Sequence, residues 1–328
     1  MFGKIVGGVK VLLIAVVIGQ YAVADDNYGD HPLALAFVDK MVSEHNFDRG
    51  YMEAAMASAT RKQTILDAIA RPAERTKTWG EYRKIFVTEK RAKLGREFMK
   101  TYADTLARAE REFGVPAKII SAIIGVETRY GRQKGNYRVL DALATLSFDY
   151  PRRSQFFSGE LEAYFLLVKE QKFDAETVKG SYAGAMGYGQ FIPSSYRHYA
   201  IDFDGDGVAD IVNNPVDAIG SVANYFKSHG WTPGEMVTLT ATVTKDYNLD
   251  VANQKLKPKL TVAELNQHGY IPSAKIETDQ VATAMHLVGD SGDEYWIGLN
   301  NFYVITRYNH SKLYAMAVYQ LSNDLGAE

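Results

Sequence analysis

The chain has 328 residues, with 37 Lys and Arg against 39 Asp and Glu, and no cysteine. That length supports one large domain or two ordinary ones, and the near-balanced charge gives nothing to attract nucleic acid or anionic lipid. Without cysteine there are no disulfides, thiolate metal sites, cysteine nucleophile or lipid-modified N-terminal cysteine.

Lys4 and Lys10 precede or enter an apolar run from Val11 to Ile18, and Ala22-Val23-Ala24 before Asp25 supplies a small-x-small cleavage site. Residues 1–24 therefore read as an export signal. The run is much shorter than the roughly 20 apolar residues of a bilayer span, so no stable membrane span is expected. An exported, disulfide-free, slightly acidic chain fits a bacterial envelope protein, and the signal alone does not say which compartment it enters.

Residues 25–77 read as an N-terminal helical segment: a polar, mobile start from Asp25 to Pro32, then helices from Leu33 to Glu44 and from Gly50 to Arg71, with Asp48 as N-cap of the second. From Thr88, the apolar residues Leu94, Phe98, Tyr102, Leu106, Ala109 and Phe113 recur every three or four positions up to Gly114, which predicts one long amphipathic helix.

Between Pro116, suited to a first helical turn, and Gly131, suited to a C-terminal cap, Ile119, Ile120, Ile123 and Ile124 form an apolar stripe that Glu127 continues. A carboxylate there lies on the buried face and in the last turn, where desolvation and the helix dipole both favour its protonated form. That is how a general acid is made. A partly buried Glu satisfied by Arg129 or Arg132 has the same local signature, so this helix alone leaves both readings open.

The stretches Val139 to Phe148 and Tyr150-Pro151-Arg152-Arg153 lead to a helix from Ser158 to Gln171. Gly180 to Gln190 then carries four glycines, too many for a regular element. It is neither a Walker loop nor a dinucleotide fingerprint, and its glycines would let backbone amides approach a sugar, with Ser181, Tyr188 and Gln190 as donors and acceptors. A short helix starts near Phe191 and gives way to an acidic loop. There Asp202, Asp204 and Asp206 at positions 1, 3 and 5, Gly207 at 6 and the Val208 carbonyl at 7 match the start of an EF-hand calcium loop. Position 12 is Asn213 rather than Glu, which leaves Asp217, on a helix from Val216 to His229, to close the sphere. Structural calcium is expected here, against the alternative of a solvated Asp/Gly turn.

After residues 78–235, the core, the character changes. Val237, Leu239, Ala241 and Val243 alternate with threonines, Thr261 to Glu264 is a capping box, and Val281 to Val288, Tyr295 to Ile297 and Phe302 to Thr306 are strand candidates. Residues 236–300 thus read as a small antiparallel β subdomain, and residues 301–328 return to the core with a helix from Ser311 to Leu321. The predicted class is α+β, mainly α.

Gly125-Val126-Glu127-Thr128-Arg129-Tyr130-Gly131, Gly184 to Ser194, the Asp202 loop with Asp217, Asn214 to Tyr225 and Arg307-Tyr308-Asn309-His310-Ser311, in that order, resemble the lytic murein transglycosylase B family. The resemblance implies a lysozyme-like helical core with a helical subdomain and a small β subdomain, a calcium site in the core, and cleavage of peptidoglycan glycan strands between N-acetylmuramic acid and N-acetylglucosamine, leaving 1,6-anhydromuramyl ends. By position it makes Glu127 the acid and places Ser181 and Gln190 beside it, with Tyr82, Arg152, Arg153, Phe191, Tyr225, Tyr308 and Asn309 as further groove candidates. Membrane-anchored members carry a lipidated cysteine, so this chain resembles a soluble, periplasmic form. Two alternatives stay open: a muramidase using Glu127 with Asp141 or Asp149, and a calcium-stabilised glycan-binding protein without catalysis.

Overall fold

The computed structural model describes residues 27–70 and 77–326. The export-signal reading of residues 1–24 and the predicted helix end at Arg71 lie outside the described residues. Three helices open the described chain: α1 (Pro32–His45), α2 (Arg49–Ser58) and α3 (Gln63–Ala70). Next come α4 (Trp79–Phe86), α5 (Glu89–Thr101), α6 (Ala103–Phe113) and α7 (Ala117–Thr128). The two-residue strand β1 (Tyr137–Arg138), α8 (Val139–Asp149), α9 (Ser154–Gln171), β2 (Lys179–Gly180), α10 (Pro193–Tyr199) and α11 (Pro215–Ser228) follow.

A second region is built from β3 (Thr238–Val243), β4 (Leu260–Thr261), α12 (Val262–Gln267), β5 (Tyr270–Pro272), β6 (Val281–Gly289) and β7 (Gly292–Gly298). Its strands form one antiparallel sheet in the order β4-β6-β7-β3-β5. The chain ends in α13 (Asn300–Tyr308) and α14 (Lys312–Leu325). The α+β, mainly helical class stands.

Four expectations need correction. The Gly50–Arg71 helix is two helices, because Thr60 leaves the helix to pair with Asn27 and to donate its amide to Asp141 at 2.8 Å. The helix expected from Thr88 to Gly114 breaks at Tyr102 (φ −111°, ψ 30°); the apolar phase runs on across the break, so periodicity does not reveal it. Phe302 to Thr306 is helical rather than extended: Asn301, Phe302, Val304, Ile305 and Thr306 are buried at helical spacing, and the β-branched residues mimic a strand. The start of the mature chain is anchored, not mobile, over its described part, since Tyr28 is buried and donates to Asp149 at 2.5 Å.

Two apolar clusters make up the helical part. One gathers side chains of α4 to α7, α11, α13 and α14, joined by Met285 and Leu287 of β6. The other gathers the N-terminal helices with α8, α9, α10 and part of α11. Tyr188 and Tyr308 pack against both, so they mark the seam between them.

Candidate active site

Helix α7 sits in the middle of the first cluster, with every residue from Ile119 to Val126 buried. Burial is wider than the isoleucine stripe implied, and only at Glu127, which is partly buried, does the helix begin to surface. The helix stops one residue after that acid. Arg129 (φ 50°), Tyr130 (φ 60°) and Gly131 (φ 82°) follow in left-handed conformation, so Arg129 is the cap rather than Gly131. The Arg129 amide closes the helix on the carbonyls of Gly125 and Ile124. Thr128 then fixes the approach of the glycine-rich loop by donating to the Tyr188 carbonyl at 2.9 Å and accepting from the Gly131 amide.

Tyrosines meet at the Glu127 carboxylate. Tyr314 Oη donates to Glu127 Oε1 at 2.6 Å, and its ring stacks on Tyr308 with centroids 6.5 Å apart and planes 9° off parallel. Burial, reinforced by the nearby Glu127 carboxylate, holds both phenols well above their usual range, so they stay neutral donors. Tyr82, buried on α4, lies close enough to Tyr314 to add to that shift. Tyr82, Glu127 and Asn309 each engage in further interactions.

From Tyr308 the cluster extends into the glycine-rich loop. The Tyr308 hydroxyl donates to the Gly189 carbonyl at 2.6 Å, and a Cβ at Gly189 would lie 2.7 Å from that hydroxyl, which explains why the loop is bare there. Phe191 packs against Tyr225 and Tyr308, both at 5.8 Å between centroids. The Tyr225 hydroxyl, pushed up to about 12 mainly by burial, donates to the Arg307 carbonyl at 2.6 Å. Gln190, with φ 52°, donates through Nε2 to the carbonyls of Lys134 and Gly187. Ser181 turns its hydroxyl to the Ala183 and Ala185 amides.

Of the predicted groove residues, Tyr308 lies near Glu127, Tyr82 lies near Tyr314, and Phe191 and Tyr225 pack against Tyr308, with Gln190 beside Phe191 and Asn309 ending α13. Arg152 and Arg153 are exposed on the turn between α8 and α9, where Arg153 lies over Phe156 at 4.2 Å. Sequence reasoning missed Tyr314, which carries no local mark in the buried run from Tyr314 to Val318. The two acids weighed as a second carboxylate are engaged elsewhere. Asp141 binds Arg138 at 2.5 Å and the Thr60 amide, and Asp149 takes the Tyr28 hydroxyl and lies 3.3 Å from Arg61.

In the acidic loop, Asp202, Asp204 and Asp217 each offer an oxygen within 4.8 Å of one another. Backbone amides of Gly205, Asp206 and Gly207 fold onto Asp202 and hold it below the usual carboxylate range. Asp217, fully buried at the start of α11, receives the amides of Phe203 and Asp210, while burial pushes it up. Three converging hard carboxylates, one of them buried, fit a calcium ion. Asp206 is not among the three; its Oδ1 accepts the Val208 amide, and the Val208 carbonyl accepts the Asp210 amide.

A helical core seamed by a carboxylate set among tyrosines, with a small antiparallel sheet beside it, belongs to the lysozyme-like class. More narrowly, the chain belongs to the Transglycosylase SLT domain family, whose profile matches residues 30–323. It is 45% identical over 304 residues to the membrane-bound lytic murein transglycosylase B of Escherichia coli strain K12, spanning 90% of this chain and 83% of that one. It superimposes with a TM-score of 0.88 and 50% identity on the catenated lytic transglycosylase SltB1 of Pseudomonas aeruginosa, covering 92% of this chain and 99% of that one. For the Escherichia coli lytic transglycosylase Slt35 in complex with calcium, the TM-score is 0.84 at 46% identity, over 90% and 93% of the two chains.

Proposed function

We propose that this protein is a peptidoglycan lytic transglycosylase in which Glu127 is acid and then base. Protonated Glu127 gives its proton to the oxygen linking muramic acid C1 to the next N-acetylglucosamine. The C1–O bond breaks, and positive charge develops at C1. The carboxylate then takes the proton of the muramic acid C6 hydroxyl as that oxygen bonds to C1, which closes the 1,6-anhydro ring and returns Glu127 to its protonated form. No water is consumed. The intramolecular hydroxyl has a large proximity advantage, and so a second carboxylate is unnecessary.

The observation that carries this reading is the Tyr314 hydroxyl 2.6 Å from Glu127, a neutral donor that steadies the carboxylate formed after proton transfer. Engagement of Asp141 and Asp149 with the N-terminal segment favours one acid over the two of a muramidase. Phe191, Tyr225, Tyr308, Ser181, Gln190, Asn309 and Tyr82 would line the glycan groove, with Arg152 and Arg153 further along it. Tyrosine suits that task because it pairs a flat apolar face with a polar edge.

Calcium, as in the complex of the Escherichia coli relative, would be held by Asp202, Asp204 and Asp217, with Asp206 and the Val208 carbonyl as further candidate ligands; it would neutralise charge and brace the loop before α11. Among the described residues no helix is long and apolar enough to cross a membrane, and the Val11–Ile18 segment supports a periplasmic location. Glu127→Gln tests the reading: it should lower release of anhydromuropeptides from sacculi by about 100-fold or more while sacculus binding and melting temperature stay near wild type. Undiminished activity would reject the role of Glu127.

A further inference from the structure

Behind the turn that ends α7 lies a cavity of about 630 Å³. Its wall carries Lys84, Lys90, Arg91, Arg129 and Arg132, and no acid lines it. Lys84 is paired with Asp290 at 2.6 Å; among the described residues no carboxylate pairs with the other four.

Arg91 makes the imbalance acute. It is only 6% exposed, and its guanidinium is satisfied by main-chain carbonyls alone, of Gly125 at 2.6 Å, Val126 at 3.3 Å and Ile85 at 3.2 Å. Burial, with the neighbouring Arg129, pushes it below the usual arginine range. A buried cation ordinarily has an anion beside it. Here three further cations crowd the same cavity instead, which is a costly arrangement for the empty protein and a favourable one once an anion enters.

The cavity adjoins the helical turn that carries Glu127, since Arg91 in its wall donates to the Gly125 and Val126 carbonyls. Arg129 follows Glu127 by two residues, and Tyr82, near Tyr314, packs at a tilt against Phe86 at 4.9 Å between centroids, over which Arg91 lies at 5.2 Å. Muramic acid carries a peptide through its lactyl group, and that peptide bears several carboxylates. The volume is within the range of pockets that bury small ligands.

We infer that this cavity receives carboxylate groups of the peptide attached to the muramic acid whose glycosidic bond is cleaved. The inference rests on the glycan reading above and adds a second substrate component to it. Bidentate arginine contacts suit such groups, with Arg129 and Arg132 as the exposed partners and Lys90 as a point charge.

The test uses the full chain and a triple variant, Lys90→Gln with Arg129→Gln and Arg132→Gln, all exposed positions whose loss spares the core. Initial rates are compared on intact sacculi and on the same glycan after its peptides have been removed by an amidase. The variant should lose about tenfold or more in kcat/KM on intact sacculi and stay within about twofold of wild type on the stripped glycan. Equal losses on both substrates, or no loss on either, would overturn the inference.

A calorimetric arm separates it from the function. Wild type should bind a free muramoyl peptide better than the same peptide with amidated carboxylates, and the triple variant should not discriminate. Loss of catalysis on both glycans by wild type would remove the lytic reading, and the calorimetry would then decide the cavity alone. Binding of inorganic phosphate with no preference for the carboxylated peptide would also overturn the assignment.

Discussion

Glu127 is the residue on which the chemistry turns, and its setting is half local and half tertiary. The local half is legible in the chain: an acid continuing an apolar helical stripe into a last turn. Tyr314 is the tertiary half, arriving from α14, 187 residues further along. Nothing in the run from Tyr314 to Val318, buried throughout, singles out its hydroxyl. Replacing Tyr314 by Phe should lower kcat by roughly 10- to 100-fold. A donor to a carboxylate lowers its pKa, so the alkaline limb of the rate profile, where the acid loses its proton, should move to higher pH in this variant. An unchanged rate and profile would deny Tyr314 any part in the reaction.

Single elements explain why the seam is shaped as it is. The glycine-rich loop defied assignment to helix or strand because its path is set by partners distant in sequence: Thr128 for Tyr188, Tyr308 for Gly189 and Lys134 for Gln190. Spacing was similarly uninformative for α13, where β-branched residues stand at positions chosen by burial. Helix α11 ends on His229, whose ring stacks on Tyr225 at 4.0 Å. Burial holds its pKa below 6.5, helped by Arg307. The unfolded chain therefore binds a proton that the native state refuses as pH falls below about 6.5, so the neutral ring's contribution to stability is complete above that pH and declines through the window down to the depressed native value. His229→Gln should flatten the fall of melting temperature across that window; an unaltered slope would show that other groups govern it.

At the scale of the whole molecule, the two apolar clusters are joined where Tyr188 and Tyr308 touch both, and the acidic loop lies at the start of α11, which contributes to each. Here the sequence was most informative, since the spacing of Asp202, Asp204 and Gly207 is a local motif and Asp217 closes it from the next helix. The Asp206 side chain turns aside to a backbone amide, a detail no spacing rule contains. Calcium near 100 times its dissociation constant adds about 2.7 kcal/mol to folding, so chelation should lower the melting temperature by several degrees, and Asp217→Asn should abolish that response. A melting temperature indifferent to both would argue for a solvated turn.

The central claim is that the glycan's own C6 hydroxyl, and not water, ends the reaction at C1. Digesting purified sacculi in water enriched in oxygen-18, and weighing the products by mass spectrometry, tests it directly. The account predicts 1,6-anhydromuramyl ends, each lighter than a hydrolysis product by one water and free of label. Reducing muramic acid ends carrying oxygen-18 would contradict it.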